Sequence, residues 1–95
     1  MKNPAVYMLA SGKNGTLYVG VTSDLVKRVW EHKNDFAEGF SKKYAVHELV
    51  WFEMHATMIE AIAREKAIKG WKRGWKMELI ESGNKEWRDL YEEII

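Results

Sequence analysis

Two tyrosines, an arginine, a histidine and a glutamate are the residues of this chain whose types and spacing could do chemistry. Tyr7 and Tyr18 flank a turn signal, Ser11 to Thr16, in which Asn14-Gly15 tolerates the positive φ of a tight hairpin. If that loop holds an even number of residues, the two phenols fall on one face of an antiparallel pair. Gly20 falls there with them and leaves a gap. Two phenols beside a missing side chain could line a shallow site, and the same pattern fits two strand tyrosines packed under a helix. Arg28 and His32 are four apart and share a helix face. The arginine offers a planar fork matched to phosphate. The histidine titrates near neutrality and can pass a proton or donate to an oxyanion. Two solvated side chains at that spacing would read alike. Glu65 falls in the middle of an apolar helix face formed by Met58, Ala61, Ile62 and Ile68. A carboxylate there needs a partner, because burying it unpaired costs several kcal/mol, as an order of magnitude. Lys69, one turn on, is one candidate. A cation of the Mg²⁺ type, which keeps most of its waters and takes one or two protein carboxylates, is the other.

The elements that must position these residues can be read from periodicity and caps. Ala5 to Ala10 reads as a buried strand and Leu17 to Thr22 as its return strand. Thr22-Ser23-Asp24 offers caps for a helix from about Asp24 to Lys33, with Leu25, Val26, Val29 and Trp30 as its apolar stripe and Phe36 beyond it. Asn34 to Lys43 reads as a polar loop, and Tyr44 to Glu53 as a third strand. Thr57 and Glu60 form a capping box for a helix to about Lys69, ended or kinked by Gly70. Further helices are expected over about Arg73 to Glu81, closed by Gly83, and over about Lys85 to Glu93. The order β-β-α-β-α-α-α, without βαβ alternation, predicts an α+β fold: a small sheet with helices packed on it, residues 1–95 forming one domain.

Composition narrows the function classes. The 95 residues are 46% apolar and 13% aromatic, too rich in both for a disordered tail. There is no cysteine, which excludes disulfides, cysteine-ligated zinc, iron–sulfur clusters and a thiol nucleophile. The longest apolar run, six residues from Ala5, is far short of the ~20 that span a membrane, so a soluble, cytoplasmic protein without a membrane partner is expected. The net charge is only +1, but it is unevenly spread. Arg64, Lys66, Lys69, Lys72, Arg73 and Lys76 crowd one stretch with a single acid, whereas six acids and two bases follow from Glu78 onward. A basic stretch beside Trp71 and Trp75 could track a phosphate backbone and stack a base. A solvated helix face and two core tryptophans fit the same residues.

Taken in order, these residues resemble a known family. Ala5-Val6-Tyr7, then Tyr18-Val19-Gly20 with ten residues between the two motifs, then Arg28 ten residues past the second tyrosine, are similar to the GIY-YIG nuclease superfamily. The likeness continues through Leu17 to Leu25, Glu31-His32-Lys33, Phe40 to Tyr44, Leu49-Val50, Glu53, Ala61 to Trp71, Leu79-Ile80, Asn84 and Trp87 to Leu90. It covers nearly the whole chain and looks like the small stand-alone endonuclease branch. The first motif departs from the family by reading A-V-Y.

The resemblance implies a three-stranded antiparallel sheet flanked by helices and a metal-dependent endonuclease that hydrolyses nucleic-acid phosphodiester bonds, of DNA in preference to RNA. It implies catalytic roles for Tyr7, Tyr18, Arg28 (on the scissile phosphate), His32 (assisting a tyrosine or the phosphate), Glu65 and Asn84. Glu65 would be the ligand of a single divalent cation, Mg²⁺ or Mn²⁺. Either tyrosine could be the base; Tyr7 is favoured, with Tyr18 orienting it. Asn84 could equally cap the last helix. Lys66, Lys69, Lys72, Arg73 and Lys76, flanking Glu65, would bind the nucleic acid. With no DNA-reading domain appended, weak sequence selectivity or a protein partner that supplies specificity is expected. A non-catalytic nucleic-acid-binding module of the same fold is the alternative, and an interaction domain using the acidic C-terminal helix a third.

Overall fold

The strand Ala5–Ala10 (β1) is apolar throughout because both of its faces are covered. It is the middle strand of a three-stranded antiparallel sheet, between β2 (Leu17–Thr22) and β3 (Glu48–Met54). The computed structural model describes residues 3–36 and 39–95, with backbone alone at 40 and 41. Five helices complete it: α1 (Leu25–Lys33), α2 (Phe40–Lys43), α3 (Met58–Lys69), α4 (Arg73–Glu81) and α5 (Tyr91–Ile94). This is the α+β arrangement expected from the order of elements.

Strand alternation sorts the core into two layers. Ala5, Tyr7 and Leu9 face Leu25 and Val29 of α1, together with Val46, Leu49 and Leu90. Val6, Met8 and Ala10 face Ala61 and Ile68 of α3, Ile80 of α4 and Trp87. Each fully buried aliphatic side chain contributes roughly 1.5–3 kcal/mol relative to exposure. The hairpin, α1, α3 and α4 form where caps and periodicity place them. The Asp24 carboxylate accepts from the Lys27 amide at 3.3 Å, and the Thr57 hydroxyl from the Glu60 amide at 3.2 Å. Among the described residues no helix is long and apolar enough to cross a membrane.

Four expectations about the elements need correction. The loop expected over 34–43 contains the short helix α2, residues 37 and 38 lying outside the described residues. The third strand begins at Glu48 rather than Tyr44, because Ala45 turns the chain through φ 55°. On α1, Val26 and Trp30 are exposed, and Trp30 stacks on an exposed Phe36; the helix instead buries Leu25, Val29 and His32. The last helix covers only Tyr91–Ile94. The segment before it is bent around the Asn84 side chain, with Trp87 buried at φ 58°.

That bent segment seals the outer edge of β3. Asn84 donates to the Val50 carbonyl at 3.1 Å, the Asp89 carboxylate accepts from the Leu49 amide at 3.1 Å, and the Leu90 amide donates to the Leu49 carbonyl at 2.7 Å. Val50 itself is the bulged residue, where the β1–β3 register shifts between Met8 and Leu9.

Candidate active site

Register brings the two tyrosines together. Tyr7 lies opposite Gly20, and Tyr18 opposite Leu9, so Tyr7, Tyr18 and Gly20 share the α1 face of the sheet, as the even loop requires. The gap at Gly20 is filled by the Tyr7 ring: a Cβ built on Gly20 would stand 2.4 Å from its Cζ and Oη. Tyr7 is only 1% exposed, and its Oη hydrogen-bonds Nε2 of His32 at 3.0 Å. The three rings of Tyr7, Tyr18 and His32 cluster with centroids 5.2 to 6.2 Å apart. His32 is buried because α1 turns its Leu25–Val29–His32 stripe onto the sheet. Arg28, one turn earlier, reaches the mouth of this cluster, where its guanidinium pairs with Glu31 at 3.2 Å. Arg28 and Glu31 line a small polar depression of about 200 Å³ with Thr22, Ser23, Asp24 and Lys27.

Burial and the Arg28 charge push the His32 imidazole down to about 4, so it is neutral at pH 7, and with its proton on Nδ1 the Nε2 atom accepts the hydrogen bond from the Tyr7 hydroxyl. Burial raises the Tyr7 phenol well above its ordinary value, and the neighbouring Tyr18 adds to this, while Arg28 opposes both. Tyr7 therefore does not carry a standing phenolate at neutral pH. The arrangement can instead move a proton along a line: Tyr7 receives one as it gives its own to His32.

Glu65 approaches from the other face. It lies on α3 beside Ala61 and Ile68, is 8% exposed, and its Oε2 pairs with Lys69 Nζ at 2.6 Å. Ile62, expected on the same stripe, is partly exposed. The link to the tyrosines runs round the open edge of β2: Lys69 and Lys76 share with Leu17, Tyr18 and Val19 a shallow cleft of about 290 Å³. The donor chemistry at Glu65 suits one hard cation that keeps most of its waters and shares a substrate phosphate, with Lys69 as the competing positive charge. Among the described residues no three His, Asp or Glu side chains are grouped to enclose an ion.

The basic stretch divides by partner. Lys69 pairs with Glu65, and Arg73 donates to the carbonyls of Asn14 (2.9 Å) and Gly15 (2.5 Å) at the hairpin tip. Lys66 and Lys72 are exposed, and Lys76 is half-buried. Trp71 is partly buried against the core, whereas Trp75 is 55% exposed. Asn84 is not brought to the cluster. It lies beyond β3, at the edge away from β2, with its amide committed to the Val50 carbonyl and to the Arg88 carbonyl and amide. Glu31, which holds Arg28, was legible only as an i,i+3 pair and drew no role from the sequence.

A family model described as the GIY-YIG catalytic domain matches residues 3–78. The UPF0213 protein SSP2268 of Staphylococcus saprophyticus is 38% identical over 71 residues, covering 75% of this chain and 87% of that protein. The UPF0213 protein CPE1444 of Clostridium perfringens is 36% identical over 77 residues, covering 81% and 82%. The solution NMR structure of the UPF0213 protein BH0048 from Bacillus halodurans has the same fold, with a TM-score of 0.57 over 92% of each chain at 24% identity. Tyr7, Tyr18, Arg28, His32 and Glu65 all lie inside the matched span, and the chain belongs to the GIY-YIG family, whose members are generally endonucleases.

Proposed function

We propose that this protein is a metal-dependent endonuclease that hydrolyses nucleic-acid phosphodiester bonds, of DNA in preference to RNA and with little sequence selectivity. The observation that carries the reading is the Tyr7–His32 hydrogen bond of 3.0 Å, set beside Tyr18 and Arg28 on one face of the sheet. Tyr7 is the general base toward the attacking water. It takes the water's proton at Oη while its own passes to Nε2 of His32 in the tautomer that carries its proton on Nδ1; burial and Arg28 keep that imidazole a weak base, so it holds the proton only transiently. Tyr18 packs against both rings and fixes their orientation. Arg28 holds the scissile phosphate with the donors that Glu31 leaves available and stabilises the charge that builds there. A divalent cation, Mg²⁺ or Mn²⁺, held by Glu65 would stabilise charge on the phosphate and the leaving oxygen when bound. Lys66, Lys69, Lys72, Arg73 and Lys76 contribute sequence-independent contacts to the backbone. Selectivity for a particular site then comes from nucleic-acid structure or from a protein partner.

One observation favours the alternative of a binding module: Lys69 already satisfies the Glu65 carboxylate at 2.6 Å. A cleavage assay on labelled single-stranded, duplex and branched DNA and on RNA, with Mg²⁺ or Mn²⁺ and with EDTA, separates the two. The nuclease reading expects metal-dependent cutting that Glu65→Ala and Tyr7→Phe abolish. Binding without cutting on every substrate overturns it in favour of the module.

A further inference from the structure

One helix, α4, borders two clefts. Lys76 turns toward the β2 edge and the cleft that holds Tyr18. On an adjacent side of the helix, Trp71, Trp75, Glu78, Leu79 and Ser82 line an open groove of about 410 Å³. Consecutive residues of a helix point about 100° apart, so Trp75 and Lys76 face neighbouring grooves from the same turn.

The aromatic wall of that groove is anchored. Glu53 on β3 grips Arg64 of α3 through Nε at 3.0 Å and a terminal nitrogen at 3.4 Å. The Arg64 guanidinium lies over the Trp71 ring, 5.4 Å from its centroid. Trp75 stands edge-on to Trp71, with centroids 6.1 Å apart and planes at 77°. A chain of contacts from sheet to helix therefore fixes Trp71 and leaves the Trp75 indole open to solvent. A pre-oriented, exposed indole is a stacking platform that any base can use. Charge selects what enters. Lys76, and Lys69 where its pairing with Glu65 leaves it available, line the adjoining cleft and would offer the phosphate backbone a path beside the groove, whereas Glu78 inside it would repel phosphate and can accept from an exocyclic amino group.

We infer that the Trp71–Trp75 groove takes an unpaired nucleobase from the strand whose backbone runs through the tyrosine site, giving the protein a preference for frayed, flapped or single-stranded nucleic acid over fully paired duplex. The inference rests on the nuclease reading for its strand, but its test does not depend on cutting. Binding of oligodeoxycytidylate, oligodeoxythymidylate and a blunt duplex hairpin is measured by anisotropy and by quenching of tryptophan fluorescence, all in EDTA. Trp75→Ala is expected to weaken single-strand binding about tenfold, several times more than duplex binding, and to remove part of the quench. Trp75→Phe is expected to restore most of the affinity, and Glu78→Gln to narrow any preference for the amino-bearing cytosine. Circular dichroism melting controls for fold. Equal losses on single strand and duplex, no loss at all, or a Trp75-dependent dimer in sedimentation would each overturn the inference. Absence of cleavage on every substrate, with the single-strand preference intact, overturns the nuclease reading instead.

Discussion

Gly20→Ala sets two effects of opposite sign against each other. Alanine in a strand interior is favoured over glycine by roughly 0.5–1 kcal/mol, so an ordinary position would gain. Here the new methyl would lie 2.4 Å from Cζ and Oη of Tyr7 and 2.9 Å from Cε1, against about 3.5–4.0 Å for a comfortable carbon contact. The ring cannot retreat cheaply: it is buried, packed beside Tyr18, and bonded to His32. Overpacking of this kind costs about 1–3 kcal/mol, which exceeds the gain. The net loss should be on the order of 1–2 kcal/mol, or roughly 5–15 °C in Tm at 4–8 °C per kcal/mol for a domain of this size. Thermal and urea unfolding measure it, and combining the change with Tyr7→Phe, which deletes one of the three clashing atoms, should recover part of the loss. Cleavage should fall with it, since a displaced phenol no longer meets His32. A variant as stable as the parent, or more so, would refute the argument that Tyr7 occupies the space above Gly20.

Other outcomes follow from the same geometry. The unfolded chain protonates His32 near 6.5 and the folded chain only near 4, so its contribution is fully present above about 6.5 and lost as the pH falls toward 4. Urea unfolding across that range should show the decline, and His32→Gln should flatten it; an unchanged slope counts against a buried neutral imidazole. Glu65→Gln should abolish metal-dependent cleavage yet change stability by no more than about 1 kcal/mol, since Lys69 is half exposed and such pairs are weak. A large fall in Tm with activity retained would make Glu65 structural. Asn84→Ala strips partners from two carbonyls and an amide, and should cost about 1–3 kcal/mol in urea unfolding. An unaltered midpoint would show that water replaces the amide without loss. Arg28→Lys keeps the charge but loses the fork, and cleavage should drop about 10²-fold in kcat with little change in Tm.

The parts of this fold that sequence reveals are those governed by local rules. The hairpin follows from Asn14-Gly15, α1 and α3 from their caps, and α4 from its periodicity. The shared face of Tyr7 and Tyr18 follows from strand parity alone. What stayed hidden depends on partners far along the chain. Tyr44 to His47 has strand-like composition, but Ala45 takes a left-handed turn. The segment after Gly83 has helical composition, yet Asn84 and Asp89 spend their side chains on β3, 34 to 40 residues away. Hydrophobicity points to Val26 and Trp30 for the α1 stripe because both are more apolar than His32, yet it is His32 that faces the sheet. Its bond to Tyr7 spans 25 residues, and no spacing rule predicts it. The two tryptophans are alike in sequence and differ in burial because only Trp71 meets the core.

The seal on β3 bears on how the protein is made. A ribosome releases the hairpin and β3 before the sealing residues, Asn84 and Asp89 lying 34 and 40 positions past their partners on β3, so β3 emerges while Asn84, Asp89 and Leu90 are still inside the exit tunnel. A nascent sheet with an uncovered strand is a template for pairing with another chain. Completion of the sheet thus waits for residues 84 to 90, and a chain cut short after Gly83 would keep all three strands and four of the five described helices but should self-associate. The finished protein covers the edge it does not need and, among the described residues, pairs no further strand with β2, the edge beside which Tyr18 and Lys69 meet.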